Sequence, residues 1–401
     1  MAGAPAAAAR ERAAPGPAGA GARVLVAMSG GVDSSVTAAL LHRAGWRVVG
    51  ATIKTFCYSE VDGPSNTCCG LEGIADAKAV AGRLGFPHFV YDAEEAFARD
   101  VVDDFVSEYA AGRTPIPCVR CNSFTKFRDL LGRADELGCE RMATGHYARV
   151  RRNGDGARLC RAADDAKDQT YFLWGIPREA LERLVLPVGE VEKPEVRATA
   201  RELELTVADK PESFEICFVP DNDYRGVLRR HLGPDHPALS PGPFLTTDGR
   251  EAGRHEGYAD FTVGQRRGLP GGFGEPMYVT EIRPEERAVV IGPREALGSS
   301  EVEAVRANWL APRPEPGRRV GVRIRHGAPV VEAVVREVSD DGFRVETAAD
   351  QRAVTPGQSA VLYGERAGGV PAAADTGAEG GEEAETDEGG FDVVLGGGVI
   401  A

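Results

Sequence analysis

Residues 23–28 (RVLVAM) form a short apolar run, and from residue 32 to 44 the pattern changes to the spacing of a helix with one apolar face. The same alternation continues downstream. Residues 47–53 (RVVGATI), 87–91 and 140–144 (ERMAT) read as strands, and residues 71–84 read as a helix. Short apolar strands alternating with helical segments predict βαβ units, and so an α/β fold on a parallel sheet. In such sheets the ligand crevice lies outside the carboxyl ends of the strands. The chemistry is therefore expected just after Met28, Ile53 and Thr144.

From about Asp221 the texture changes to Gly, Pro and short alternating strands, at 277–282, 288–291, 319–324, 330–338 and 342–347. This predicts one or two small β domains, with a boundary near Val302. Residues 392–400 (DVVLGGGVI) return to strand character after an acidic, Gly-rich stretch, so that stretch reads as a hairpin insertion and not a tail. The expected organisation is a disordered extension at 1–22, an α/β domain at 23–220, a small β-rich domain at 221–301 and a C-terminal β domain at 302–401. The disordered insertion spans 367–390.

Composition narrows the class. The 401 residues are 42% hydrophobic and 27% charged, and no apolar run approaches the roughly 20 residues of a membrane helix. The first 22 residues lack the apolar core of a secretory signal. Eight cysteines without such a signal point to a reducing compartment, the cytoplasm, where closely spaced thiols serve catalysis or metal binding. The net charge of −14 argues against a nucleic-acid partner, but the insertion holds seven of the acids and no base. Basic clusters remain at 149–152, 229–230 and 266–267, and at Arg323 with Arg325; each alone reads as a solvated face.

Ser29 to Ser35 (SGGVDSS) follows a strand and opens a helix. Glycines allow close backbone approach, and free N–H groups at a helix start attract anions, so the loop reads as a phosphate site and not merely a capped turn. It lacks the lysine of a Walker loop. Cys118 and Cys121 form a C-x-x-C pair and Cys217 stands alone downstream. Such a pair serves as a redox couple, half a zinc site or part of an iron–sulfur site. A thiolate can also carry sulfur as a persulfide and later expel it by closing a disulfide. A second C-x-x-C is absent, which disfavours structural zinc. Cys68 and Cys69 are adjacent and unassigned, while Cys57, Cys139 and Cys160 read as core residues.

The SGGVDSS loop resembles that of the ATP pyrophosphatases. With TPIPCVRCN (114–122), ATGHYAR (143–149), KDQTYFL (167–173), EICFVP (215–220), FTVGQRRGL (261–269) and LGGGVI (395–400), the chain from Arg23 onward resembles the bacterial and mitochondrial tRNA-specific 2-thiouridylases. The resemblance implies an adenine nucleotide alpha hydrolase-like domain, a small central domain and a C-terminal β-barrel. It also implies ATP with Mg2+, the anticodon loop of tRNA as substrate, and a persulfide donor such as a cysteine desulfurase or sulfur-relay protein.

By that resemblance, Ala27, Met28, Ser29, Gly30, Gly31, Val32, Asp33 and Ser34 hold the ATP phosphates, and Ile53 and Gly145 line the adenine side. Cys121 is the nucleophile and Cys217 bears the persulfide, the two closing a disulfide in turnover. Ile116, Pro117, Cys118, Lys167, Asp168, Gln169, Arg325 and His326 contact tRNA, although Ile116 departs from the Asn usual in the family. Alternatives stay open: an iron–sulfur cluster on Cys118, Cys121 and Cys217, another ATP pyrophosphatase acting on a small metabolite, or a non-catalytic tRNA-binding protein.

Overall fold

The computed structural model describes residues 21–55, 71–212, 216–219, 223–365 and 390–401. Residues 1–20, Cys57, Cys68, Cys69 and nearly all of the acidic stretch lie outside the described residues. Four parallel strands, β1 (Arg23–Ala27), β2 (Arg47–Lys54), β3 (His88–Asp92) and β4 (Arg141–Ala143), lie in the order β3-β2-β1-β4, with the short strand Leu184–Val185 beyond β4. Val24, Leu25 and Val26 are wholly buried because both faces of β1 are covered. On one face, α1 (Val32–Arg43) and α2 (Leu71–Leu84) pack with the helix Lys193–Glu202. On the other face, Phe127 and Leu130 come from the helical run 117–136.

The expected strands and helices of this unit fall within two residues of their places. Helical runs at 94–110 and 117–136 add to them, each interrupted by a π-helical stretch, Ala98–Val102 and Cys121–Lys126. The region after Asp221 is not purely β: the helix Tyr224–Leu232 precedes a four-stranded sheet of Gly242–Thr246, Glu251–His255, Tyr278–Arg283 and Ala288–Gly292.

Six antiparallel strands, from Gly298–Trp309 to Phe391–Ile400, then close on themselves, because Gly298–Trp309 pairs with both Gly342–Arg352 and Phe391–Ile400. The boundary expected near Val302 falls inside the first of these strands. Glu365 lies opposite Phe391, so the acidic stretch connects two neighbouring strand ends. The hairpin Arg149–Asn153 with Gly156–Cys160 extends the barrel sheet through Val393 opposite Cys160. Tyr171, Leu173 and Trp174 share one core with Val361, Tyr363 and Val394, which seats the barrel on the α/β unit.

The basic cluster at 149–152 is consumed internally and forms no free patch. Arg149 reaches Asp392 at 2.7 Å, Arg151 pairs with Glu190, and Arg152 donates to the Leu184 carbonyl at 2.6 Å.

Candidate active site

The glycine-rich loop leaves the carboxyl end of β1 and turns into α1, as the strand–loop–helix pattern requires. Gly30 has φ +73°, and a Cβ there would meet the Gly73 carbonyl oxygen at 2.1 Å, so no other residue fits. A Cβ on Gly145, just beyond β4, would lie 2.6 Å from the Ser34 nitrogen. That packs the backbone just beyond β4 against the first turn of α1. The Ser34 hydroxyl accepts from the Ser29 N–H at 3.2 Å and donates to the Gly31 carbonyl at 3.1 Å, tying the loop closed. Ile53 is buried near the end of β2.

Asp33 is the loop's carboxylate. It accepts the Tyr147 hydroxyl at 2.8 Å and two contacts from Lys193 Nζ at 2.7 and 2.8 Å. The Lys193 side chain is only 9% exposed, and Glu212 lies 3.0 Å from its nitrogen. Glu212 also binds Lys167 at 2.8 Å. Burial would raise the Glu212 pKa, but hydrogen bonds from Lys167 and Lys193 outweigh it and hold it below the ordinary value. Burial, reinforced by the Asp33 charge, pushes the Tyr147 phenol well above its ordinary range, so it stays a donor.

Lys193, Tyr147 and Glu212 were not expected from the sequence. The signal for Lys193 lies in its helix start: Glu192 and Glu195 form a capping box, with Pro194 in the first turn. A lysine in a first turn opposes the helix dipole. It is held there by two carboxylates.

Cys118 is exposed, Cys121 is buried and Cys217 is half-buried. Cys121 opens the π-helical stretch of the run 117–136, and such stretches gather at functional sites. Cys121 and Cys217 share one small apolar cluster with Phe97, Val101 and Phe218. Phe218 sits edge-on to Phe97 and Phe105 at 5.8 and 5.1 Å, which anchors the turn carrying Cys217. Among the described residues no three His, Cys, Asp or Glu side chains converge to hold a metal ion. That includes Cys118, Cys121 and Cys217.

The other expected RNA contacts come from three parts of the chain. Arg325 and His326 are exposed on the turn after Arg319–Arg323, with the His326 ring 4.6 Å from that of Phe172. Burial, then Arg323, lowers the His326 pKa. Ile116 is half-buried and Pro117 buried at the start of the run 117–136. The Gln169 side chain accepts from the Tyr147 N–H at 2.9 Å.

Asp168 departs from expectation. Its carboxylate is fully buried, binds Arg323 of the barrel at 2.7 Å and accepts the Thr170 hydroxyl at 2.7 Å. The carboxylate has its partners inside the protein, as a buried charge requires.

Fold and site together define an α/β protein with a glycine-rich loop at the carboxyl end of its central strand, two cysteines in one apolar cluster and a β-barrel seated against the α/β unit. The chain matches the family models for the tRNA methyl transferase HUP domain over residues 22–221, the tRNA methyl transferase PRC-barrel domain over 227–293 and the aminomethyltransferase beta-barrel domain over 299–369. It is 47% identical over 348 residues to the tRNA-specific 2-thiouridylase MnmA of Salinibacter ruber, covering 85% of this chain and 91% of that protein. Proteins of the same name from Rhodospirillum centenum (46% identity; 85% of this chain, 88% of that one) and Rickettsia typhi (44%; 86% and 96%) are similar to it throughout. The chain belongs to the tRNA-specific 2-thiouridylase family. Membership in this ATP-using family brings ATP binding with it. No described helix is long and apolar enough to cross a membrane.

Proposed function

We propose that the chain adenylates the C2 oxygen of the wobble uridine of tRNA with magnesium-bound ATP and replaces that oxygen with sulfur, giving 2-thiouridine, AMP and pyrophosphate. The observation that carries this reading is the meeting of Cys121 and Cys217, distant in sequence, in one apolar cluster. In this reading Ala27 to Ser34 and the amides opening α1 hold the phosphates, while Ile53 and Gly145 flank the adenine. Lys193 and Lys167 place positive charge where pyrophosphate departs.

The uridine oxygen attacks the α-phosphorus and pyrophosphate leaves. A persulfide on Cys217, loaded by an external donor, attacks C2 through its terminal sulfur, and AMP departs with the oxygen. The Cys121 thiolate then attacks the Cys217 sulfur. The S–S bond breaks, its electron pair remains with the transferred sulfur, and a Cys121–Cys217 disulfide is left for a thiol reductant. Prior release of the sulfur as sulfide, by the same attack, is the variant of this route. The apolar cluster supports such thiol chemistry by excluding water. No step of this route is assigned to an iron–sulfur cluster on Cys118, Cys121 and Cys217.

We assign the nucleotide and thiol chemistry to residues 23–220, a central unit to 221–297 and the barrel to 298–401, whose first strand begins at Gly298, acting in the cytoplasm. Ile116, Pro117, Cys118, Lys167, Gln169, Arg325 and His326 face the tRNA in this reading. Mass spectrometry of unmodified tRNA after incubation with the protein, ATP, magnesium and a persulfide donor tests it. Gain of one sulfur with loss of one oxygen is expected. AMP release without any change in the tRNA would instead support a pyrophosphatase of small metabolites, and tight tRNA binding without AMP release would support a non-catalytic binder.

A further inference from the structure

A cavity of about 420 Å³ lies between the helical runs 94–110 and 117–136 and the barrel. Val119, Arg120, Ser123 and Phe124 line it, whereas Cys121 turns away to Phe97 and Val101. It is therefore a different space from the thiol pocket. We propose that this cavity is a subsite for a single unpaired nucleotide of the RNA strand, next to the target uridine, with its base against Phe124 and its phosphate held by Arg128 and Arg306. The inference rests on the tRNA reading above.

Three features assign this chemistry. The cavity combines an apolar floor of Ile116, Val119 and Trp174 with an aromatic ring flanked by cations: the Arg120 and Arg128 guanidiniums lie 4.2 and 5.2 Å from the Phe124 ring centre. Bases stack on aromatic side chains, and arginine beside the ring adds a cation–π contribution. Its two carboxylates are already neutralised. Asp104 lies 3.3 Å from Arg120, and Glu108 lies 2.6 Å from Arg113 and 3.0 Å from Arg306. The lining sets Arg120, Arg128 and Arg306 against Asp104 and Glu108, an excess of positive charge in a chain of net charge −14.

The backbone that delivers Arg306 is the third feature. Strand Gly298–Trp309 bulges against Phe391–Ile400 between Val305 and Asn308, and Arg306 takes φ +53° there. A non-glycine residue in that region is strained, and a bulge re-aims its side chain, here to the cavity wall. The cavity also adjoins the thiol pocket, because Val119 and Arg120, which line it, directly precede Cys121 in the same helical run.

Fluorescence anisotropy of a labelled hairpin RNA carrying the anticodon loop tests the proposal on the full chain. Phe124→Leu and Arg128→Gln are each expected to raise Kd about tenfold, with ATP binding and melting temperature unchanged. Arg128→Gln should also lower the slope of log Kd against log salt by about 0.7, which a merely structural role would not do. Arg306→Gly keeps the positive φ without strain, and an unchanged melting temperature separates a weaker Kd in this variant from the loss of the Glu108 pair.

Unchanged Kd and salt slope in the variants, with the parent binding RNA, overturn the subsite. A parent that binds no RNA overturns the tRNA reading instead. Titration with AMP separates the remaining source. AMP binding that is lost in Arg128→Gln while RNA affinity holds assigns the cavity to a free mononucleotide and overturns the RNA strand as its occupant.

Discussion

Lys193 Nζ lies 2.7 Å from one oxygen of Asp33 and 2.8 Å from the other, joining a helix start to the phosphate loop across 160 residues of sequence. The loop has no lysine of its own, so Lys193 supplies the cation from another part of the chain. Lys193→Met should lower AMP formation about 100-fold, the usual cost of removing one charge that stabilises a transition state. RNA affinity should not change. Stability should fall by about 1–3 kcal/mol, since Asp33 keeps the Tyr147 hydroxyl and partial solvent. Undiminished AMP formation in quenched-flow assays would remove Lys193 from the site.

The sheet and the loop were legible because each is written locally: a buried apolar run, a glycine pair, a one-faced helix. The helical run 94–110 is less legible. Phe97, Val101, Phe105 and Tyr109 recur every fourth residue, which drifts off a period of 3.6, and the wider π turn at Ala98–Val102 absorbs the excess. The meeting of Asp33 with Tyr147, Lys193 and Glu212 has no local signature, since it depends on how distant elements pack. The same holds for Asp168. Its motif reads as a surface segment, yet the barrel supplies a buried arginine that draws the carboxylate inside.

Arg323→Met should therefore destabilise the fold by about 3–5 kcal/mol, because it strands a buried carboxylate. Adding Asp168→Asn should recover a large part of that loss. Urea denaturation of both singles and the double measures the coupling. Additive losses would show that the pair is not a unit.

His146 lies beyond β4, its Nδ1 2.8 Å from the Thr144 hydroxyl and its ring 5.9 Å from Phe127. Burial, then the charge of Lys126, lowers its pKa to about 3. Above the ordinary value of 6.5 both folded and unfolded states hold it neutral. Between 6.5 and about 3 only the unfolded chain takes the proton, so stability falls as pH falls through that window. His146→Gln should make the slope of unfolding free energy between pH 4 and 6 shallower by about 1.4 kcal/mol per pH unit. Equal slopes in urea titrations of parent and variant would show that the ring titrates normally.

Replacing residues 367–389 with a short turn should leave the barrel intact, because Glu365 and Phe391 already lie side by side. Shortening the connection should add about 1–2 kcal/mol through a smaller closure entropy. Removing its seven acids should also tighten RNA binding at low salt, an effect that fades as salt rises. Loss of cooperative melting would show that the stretch belongs to the core.

The cysteines separate two chemistries. Cys121→Ala and Cys217→Ala should abolish thiolation while AMP formation survives, because both thiols lie in the sulfur pocket and neither lies on the phosphate loop. Cys118 discriminates. It is exposed and outside the apolar cluster that holds the other two, so in persulfide transfer its loss should lower the rate only severalfold. As a cluster ligand its loss would bleach visible absorption and stop turnover. Iron and sulfide analysis of anaerobically purified protein, run beside thiolation assays of Cys118→Ala, decides between them. Full activity of iron-free protein with a persulfide donor is the expected result. A stoichiometric cluster needed for turnover would reassign all three thiols from carrying sulfur to binding iron.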